Sequence, residues 1–240
     1  MNFLSRFLEK FVFNAKWTCA ICGKDLFDGE YFCEDCIKEL PFNDKCICNH
    51  CGRKTNLPQN YCSSCGNFYV SVDKARSIFN YEKPISSLIK KLKYKNAKYI
   101  SEIFTPFLKN LYESNNFDAE VVCYAPMSEK AKKERGYNQS ELIAQGFAKE
   151  MNLPIYNGIQ KIKETKRQAG LNKFERSINL KGAFRLKDKK EIKDKVVLLI
   201  DDVLTTGNTT EILAQYLKKA GAKKVLVMTI ASVPDEYSFA

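Results

Sequence analysis

The residues with the most chemistry in this 240-residue chain stand near its C-terminal end, in Val196-Val-Leu-Leu-Ile-Asp-Asp-Val-Leu-Thr-Thr-Gly-Asn-Thr-Thr210. Five branched apolar residues, Val196 to Ile200, predict a buried strand that delivers Asp201 and Asp202 to its C-terminal end. In an open α/β sheet, ligands sit at the carboxyl ends of strands. The small-residue loop that follows leads straight into a helix. Thr205, Thr206, Gly207, Asn208 and Thr209 therefore offer backbone N–H groups and hydroxyls to a phosphate. Two carboxylates just upstream accept hydrogen bonds from vicinal ribose hydroxyls, directly or through Mg²⁺. The spacing suits a ribose 5-phosphate, with its phosphate in the loop and its hydroxyls on the acids.

A second set of chemically active residues lies at the other end. Nine of the ten cysteines fall between Cys19 and Cys65. Cys19-x2-Cys22 and Cys33-x2-Cys36 recur 29 positions later as Cys48-x2-Cys51 and Cys62-x2-Cys65, with Gly23 and Gly52 after the second cysteine of each set. Two C-x2-C turns bring four thiolates to about 2.3 Å from one zinc ion in tetrahedral geometry. So short a segment buries too little apolar surface to fold alone, and metal binding supplies the missing free energy. The spacing therefore predicts two structural zinc sites, each filled by four cysteines with no open position. A disulfide framework is the alternative, as is cross-braced pairing of the cysteine pairs. Cys46 is a spare and reads as a free thiol, and His50 reads as a loop residue. Cys123 stands apart.

The elements that must position these groups are also visible. Ser77 to Tyr81 and Val121 to Ala125 predict strands, and so does Val225 to Ile230. Pro84 opens a helix with Ile85, Leu88, Ile89 and Leu92 on its apolar stripe and Lys90, Lys91, Lys93, Lys95 and Lys98 on or just beyond the other face. Asn138 to Lys149 and Thr209 to Ala220 predict further helices. Helices alternating with short, fully apolar strands imply a mostly parallel sheet covered on both faces. The formal net charge is +11. Residues 1–70 carry eight basic and eight acidic side chains, so the excess lies wholly beyond them. That shift divides the chain into an N-terminal amphipathic helix (1–16), a double zinc-ribbon module (17–70) and an α/β domain (71–240). The basic excess favours anionic partners. No apolar run is long enough to span a membrane, and the N-terminus lacks a secretory cleavage pattern, so a cytoplasmic protein is expected.

The strand, the acid pair and the Thr-Thr-Gly-x-Thr loop resemble the phosphoribosyl pyrophosphate (PRPP) motif of type I phosphoribosyltransferases. The likeness extends along the chain. Two cysteine ribbons come first, then Leu92-Lys-Tyr94, Arg135-Gly-Tyr-Asn-Gln139, Gln168-Ala-Gly-Leu171, Glu175-Arg176, Asn179 and Gly182-Ala-Phe184. In this order, from about Phe11 to Ser232, they resemble the ComF family of competence proteins (ComFC type). The resemblance implies a type I phosphoribosyltransferase-like α/β fold: a parallel sheet with helices on both faces, behind a small N-terminal double zinc-ribbon module. It implies PRPP with Mg²⁺ as ligand. The loop Ala125-Pro126-Met127-Ser128, where the family has a Val-Pro-small run, would hold the pyrophosphate, followed by Lys130, Lys132, Lys133 and Arg135. A mobile loop over Lys163 to Asn179, with Gln168 and Arg176, would close over PRPP.

Three functions follow from the resemblance. The first is DNA uptake, with single-stranded DNA handled in the cytoplasm by Lys90, Lys91, Lys93, Tyr94, Lys95 and Lys98, and with a competence helicase and a recombination mediator as partners. The second is transfer of ribose 5-phosphate from PRPP to a nucleophile. The third is PRPP sensing without turnover. No base-recognition pocket is identifiable in the sequence, and no catalytic residue is assigned.

Overall fold

Strand β5 (Val196–Leu204) shows why the sheet is doubly covered. Val197 and Leu199 join a buried cluster with Leu213, Ala214 and Leu217, while the alternate Leu198 and Ile200 are equally inaccessible on the opposite side. A strand with no wet face needs helices on both of its faces. A computed structural model describes residues 18–26, 30–56, 61–62, 65, 70–163 and 182–235. The N-terminal helix expected over 1–16 lies outside the described residues.

Two compact units divide the chain at Leu40–Pro41. In the first, helix α1 (Glu34–Lys38) follows a turn closed by a Thr18–Asp25 antiparallel bridge. The second unit holds a parallel sheet in the order β1-β6-β5-β2, where β1 is Lys74–Asn80, β2 is Val121–Tyr124 and β6 is Lys224–Ser232. Helices α2 (Ile85–Tyr94), α3 (Ile100–Ile103) and α4 (Thr105–Ser114) join β1 to β2. Helices α5 (Glu129–Arg135) and α6 (Gln139–Met151) follow β2, and α6 packs on β2 and β5. A short antiparallel ribbon of β3 (Ile159–Lys161) and β4 (Phe184–Leu186) comes before β5. Helix α7 (Asn208–Lys219) crosses from β5 to β6 against β4, β5 and β6. This is the expected parallel α/β architecture. Among the described residues, no helix is long and apolar enough to cross a membrane.

The cysteines form two groups of four, Cys19/Cys22/Cys33/Cys36 and Cys48/Cys51/Cys62/Cys65. Consecutive pairs share a site, so the cross-braced alternative is not realised. Sulfur atoms stand 3.8 Å apart in the first group (Cys22–Cys33) and 3.6 and 3.7 Å apart in the second (Cys51–Cys62 and Cys48–Cys65). A tetrahedron with arms of about 2.3 Å has edges of about 3.8 Å, so both groups fit zinc. A disulfide would need sulfurs about 2 Å apart, and all ten cysteines are free. Cys46 and Cys123 belong to neither group.

The 29-residue repeat is structural as well as sequential. The N–H of Cys19 donates to the Lys24 carbonyl and that of Gly23 to the Cys19 carbonyl. The N–H of Cys48 likewise donates to the Arg53 carbonyl and that of Gly52 to the Cys48 carbonyl. Gly23 and Gly52 hold φ of 77° and 68°, the left-handed region that disfavours a side chain. Their surroundings differ. A Cβ on Gly23 would meet nothing within 4 Å, whereas one on Gly52 would lie 2.7 Å from the Ala75 carbonyl oxygen.

The second cysteine group is therefore built into the larger unit. The Ala75 N–H donates to the His50 carbonyl, and Phe42 bridges Phe79 on the same edge strand. Cys48, Cys51, Cys62 and Cys65 share one core cluster with Ala75, Leu213 and Leu217. Composition changes near residue 70, but the compact boundary falls thirty residues earlier because this knuckle hydrogen-bonds to β1.

Metal analysis of the purified chain is expected to give about two zinc ions per chain. A value near zero with oxidised cysteines would refute the ribbon reading. Gly52→Ala should cost about 3 kcal/mol in thermal unfolding, from both the left-handed φ and the carbonyl clash, while Gly23→Ala should cost only the conformational part, about 1 kcal/mol.

Candidate functional site

Strand β5 runs on through both acids to Leu204, four residues beyond the apolar run. Successive residues of a strand point to opposite faces, so adjacent carboxylates need partners from more than one element. The chain supplies them from α2 and from the start of α6. Lys93 Nζ lies 2.8 Å from Asp202 Oδ1, and Gln139 Nε2 donates to Asp202 Oδ2 at 2.5 Å. The Ser140 hydroxyl donates to Asp201 Oδ1 at 2.9 Å, and the Asp202 N–H donates to the same oxygen at 2.8 Å. Asp202 is buried and Asp201 half-buried.

Local sequence explains why these partners converge. Asn138 caps α6, its side-chain oxygen accepting from the Ser140 N–H while its amide donates to the Ala125 carbonyl at 2.9 Å. This fixes the first turn of α6 beside the ends of β2 and β5, with Gln139 and Ser140 buried. Helix α2 buries Ile85, Leu88, Ile89 and Leu92, and the Tyr137 hydroxyl donates to the Leu92 carbonyl. The next residue, Lys93, then reaches inward to the acids. It is not part of the solvated face: its side chain is 21% exposed, while Lys90, Lys91, Lys95 and Lys98 are open to solvent.

Burial, then the neighbouring Asp202 charge, push the Asp201 carboxyl up to about 7. Burial opposes the charge on Lys93, but the Asp202 carboxylate outweighs it and holds the ammonium above the ordinary lysine value. Near neutral pH Asp201 is thus ready to hold a proton, next to a second carboxyl that accepts from Lys93 and Gln139. That combination can both accept from and donate to a vicinal diol.

The loop after β5 ends at Gly207, whose φ of 80° turns the chain into α7. Asn208, expected in the loop, is the first residue of the helix. Thr210 closes the turn by donating its hydroxyl to the Gly207 carbonyl at 2.8 Å. Thr205 is exposed and Thr209 half-buried, and Thr206 Oγ1 is buried with no hydrogen-bond partner. A buried hydroxyl beside a helix N-terminus fits an anion that would complete it.

The other expected contacts are spread more widely. Pro126 and Met127 line a cavity of about 450 Å³ with Tyr124, Lys132 and Glu141. Ser128 is buried and caps α5 by accepting from the Ala131 N–H, so its hydroxyl already has a role. Arg135 turns away from that cavity. Its guanidinium sits 5.2 Å from the Tyr94 ring centroid and donates to Gln139 Oε1. Tyr94 is 70% exposed, and Lys98 lies 5.1 Å over the Tyr137 ring. Gln168 and Arg176 lie outside the described residues. Residue chemistry did not single out Gln139 and Ser140 as partners of the acids, and it placed Lys93 among the nucleic-acid contacts, whereas the structure puts it on Asp202. Asn138 as a cap was the available signal for the first two.

The phosphoribosyl transferase domain family matches residues 137–239, and the double zinc ribbon domain family matches residues 10–67. Competence protein F of Haemophilus influenzae is 31% identical over 206 residues, covering 83% of this chain and 88% of its own. The DNA utilization protein YhgH of Escherichia coli is 26% identical over 216 residues, covering 87% of this chain and 94% of its own. Competence protein ComFC of Streptococcus pneumoniae is 23% identical over 227 residues, covering 88% and 98%. With a phosphoribosyltransferase-type sheet, an acid pair at its strand end and two four-cysteine ribbon sites, the chain belongs to the ComF family.

Proposed function

We propose that this protein binds PRPP at Asp201, Asp202 and the Thr205–Thr209 loop, and that it serves DNA uptake by handling incoming single-stranded DNA in the cytoplasm. The observation that carries the ligand part is the sequence of groups at the end of β5. Two adjacent carboxyl groups, one of them raised in proton affinity by burial, are followed within a few residues by a left-handed glycine, a buried unpartnered hydroxyl and a helix N-terminus. The ribose hydroxyls go to the acids and the 5-phosphate to the loop. The pyrophosphate, with the Mg²⁺ it would carry, would lie toward Pro126 and Met127. The DNA part is supported by the names of the relatives and by the exposed cations Lys90, Lys91, Lys95 and Lys98 around exposed Tyr94. Transfer of ribose 5-phosphate is separated from binding by one readout, pyrophosphate release.

Calorimetry tests the ligand assignment. Asp201→Asn with Asp202→Asn should lower PRPP affinity at least tenfold, about 1.4 kcal/mol or more, with the fold intact. Unchanged affinity would remove PRPP from this site. For DNA, the four exposed lysines set the salt dependence. The slope of log K against log salt should be no steeper than about −3, at roughly −0.7 per neutralised phosphate, and Tyr94→Ala should cost about 1–3 kcal/mol of stacking. A salt-independent affinity would contradict it.

The acid pair also predicts a pH effect on stability. Folding raises the affinity of Asp201 for its proton, from an ordinary value of 3.8 to about 7. The stability this contributes is full below about pH 4 and is lost as the pH climbs through about 7. Asp201→Asn, which stays neutral, should therefore raise the melting temperature relative to the parent at about pH 8 and leave it unchanged near pH 4.

A further inference from the structure

Both oxygens of Asp202 are held by groups that connect to α2, one directly through Lys93 and one through Gln139 and Arg135 to Tyr94. Oδ1 takes Lys93, which sits in the chain between buried Leu92 and exposed Tyr94. Oδ2 takes the Gln139 amide, whose own oxygen accepts from Arg135, and Arg135 in turn covers the Tyr94 ring. The same surface carries Lys98 over Tyr137, and Tyr137 holds the Leu92 carbonyl. The sugar-acid pair and the basic, aromatic face of α2 are therefore linked by one continuous set of contacts in the larger unit. Two of the linking groups, Lys93 and Arg135, are cations.

A base stacking on Tyr94 brings a phosphodiester within reach of Arg135, whose planar fork suits phosphate. Arg135 engaged there no longer bonds Gln139, and Gln139 loses the contact that orients its amide toward Asp202. In the other direction, ribose hydroxyls arriving at the acids compete with Lys93 for Asp202, and the ligand's phosphates attract the released ammonium. Each anion thus disturbs contacts that hold the other site in place.

We propose, resting on the function inferred above, that the chain of contacts through Lys93, Asp202, Gln139 and Arg135 couples the two anion sites, so that PRPP and single-stranded DNA bind antagonistically. The coupling is reciprocal by thermodynamic necessity: whatever factor PRPP removes from DNA affinity, DNA removes from PRPP affinity. The sugar phosphate then acts as a release signal for the strand. Lys93 is a positioning residue in this arrangement, and Tyr94 is the point at which a base reports to the acids.

The test uses the full zinc-loaded chain and a fluorescent oligothymidylate of about 20 nucleotides, longer than the strand such a surface covers. Its affinity is measured by anisotropy with and without saturating PRPP and Mg²⁺, and PRPP affinity is measured by calorimetry with and without the oligonucleotide. The expected result is a weakening of about fivefold or more in each direction, equal within error. Lys93→Met should bring the factor close to one while both ligands still bind. Lys91→Met, an exposed cation on the same helix, should weaken the oligonucleotide and leave the factor unchanged. If Lys93→Met does not fold, Arg135→Gln reads the coupling through the Gln139 arm. Independent binding in the parent chain would overturn the inference and leave the proposed function standing. An unchanged factor in the Lys93 and Arg135 variants would also overturn it, since simple repulsion between two anions would then suffice. Failure of the parent chain to bind either ligand would overturn the proposed function and this inference with it.

Discussion

Two carboxylates side by side at the end of a strand covered on both faces repel each other and have little water to spread their charge. That constraint organises the larger unit. One cation, one amide, one hydroxyl and one backbone N–H are brought to the pair from three separate stretches of chain. Helix α2 must run so that Lys93 points inward just where Leu92 ends the buried stripe. Asn138 must cap α6 at that point and nowhere later, so that Gln139 and Ser140 of its first turn fall on the two acids. A buried ion pair of this kind is poor evidence of stabilisation, because the cost of desolvating both charges offsets most of their attraction.

The phosphate loop depends on a second constraint, the position of α7. Its core face is packed in one cluster with the second cysteine group. Buried Glu211 near its start accepts from the N–H groups of Ser71 and Val72, at the chain's approach to β1. The metal-binding knuckle before β1 and the helix after the acid pair are thus held in one piece. The two zinc sites, alike in sequence and in backbone pattern, have different settings. One belongs to the small unit, and the other is part of the core that positions Thr205–Thr209.

Much of this was legible in the residues. The 29-residue cysteine repeat predicts two four-sulfur sites, and the sulfur spacing agrees with zinc in both. The branched run before Asp201 reads as a buried strand because both faces are apolar, and it is one. What did not read through was direction. Five lysines between 90 and 98 look alike along a helix, and only the packing of Leu92 and Tyr137 turns Lys93 inward. The family resemblance places Arg135 after the pyrophosphate loop, whereas its guanidinium lies over Tyr94 where α5 ends in a left-handed turn at Gly136. The boundary between units was also hidden. Charge composition marks the end of the cysteine segment, whereas hydrogen bonds to β1, which leave no trace in composition, assign half of that segment to the larger unit.

We infer that the end of β5 is a ribose 5-phosphate site. This is tested most directly by a crystal structure of the zinc-loaded chain soaked with PRPP and Mg²⁺. The 5-phosphate is expected among the N–H groups and hydroxyls of Thr205–Thr209, including Thr206 Oγ1, with the vicinal hydroxyls on Asp201 and Asp202. Density for PRPP elsewhere, with Lys93 and Gln139 still on Asp202 and the loop empty, would contradict it.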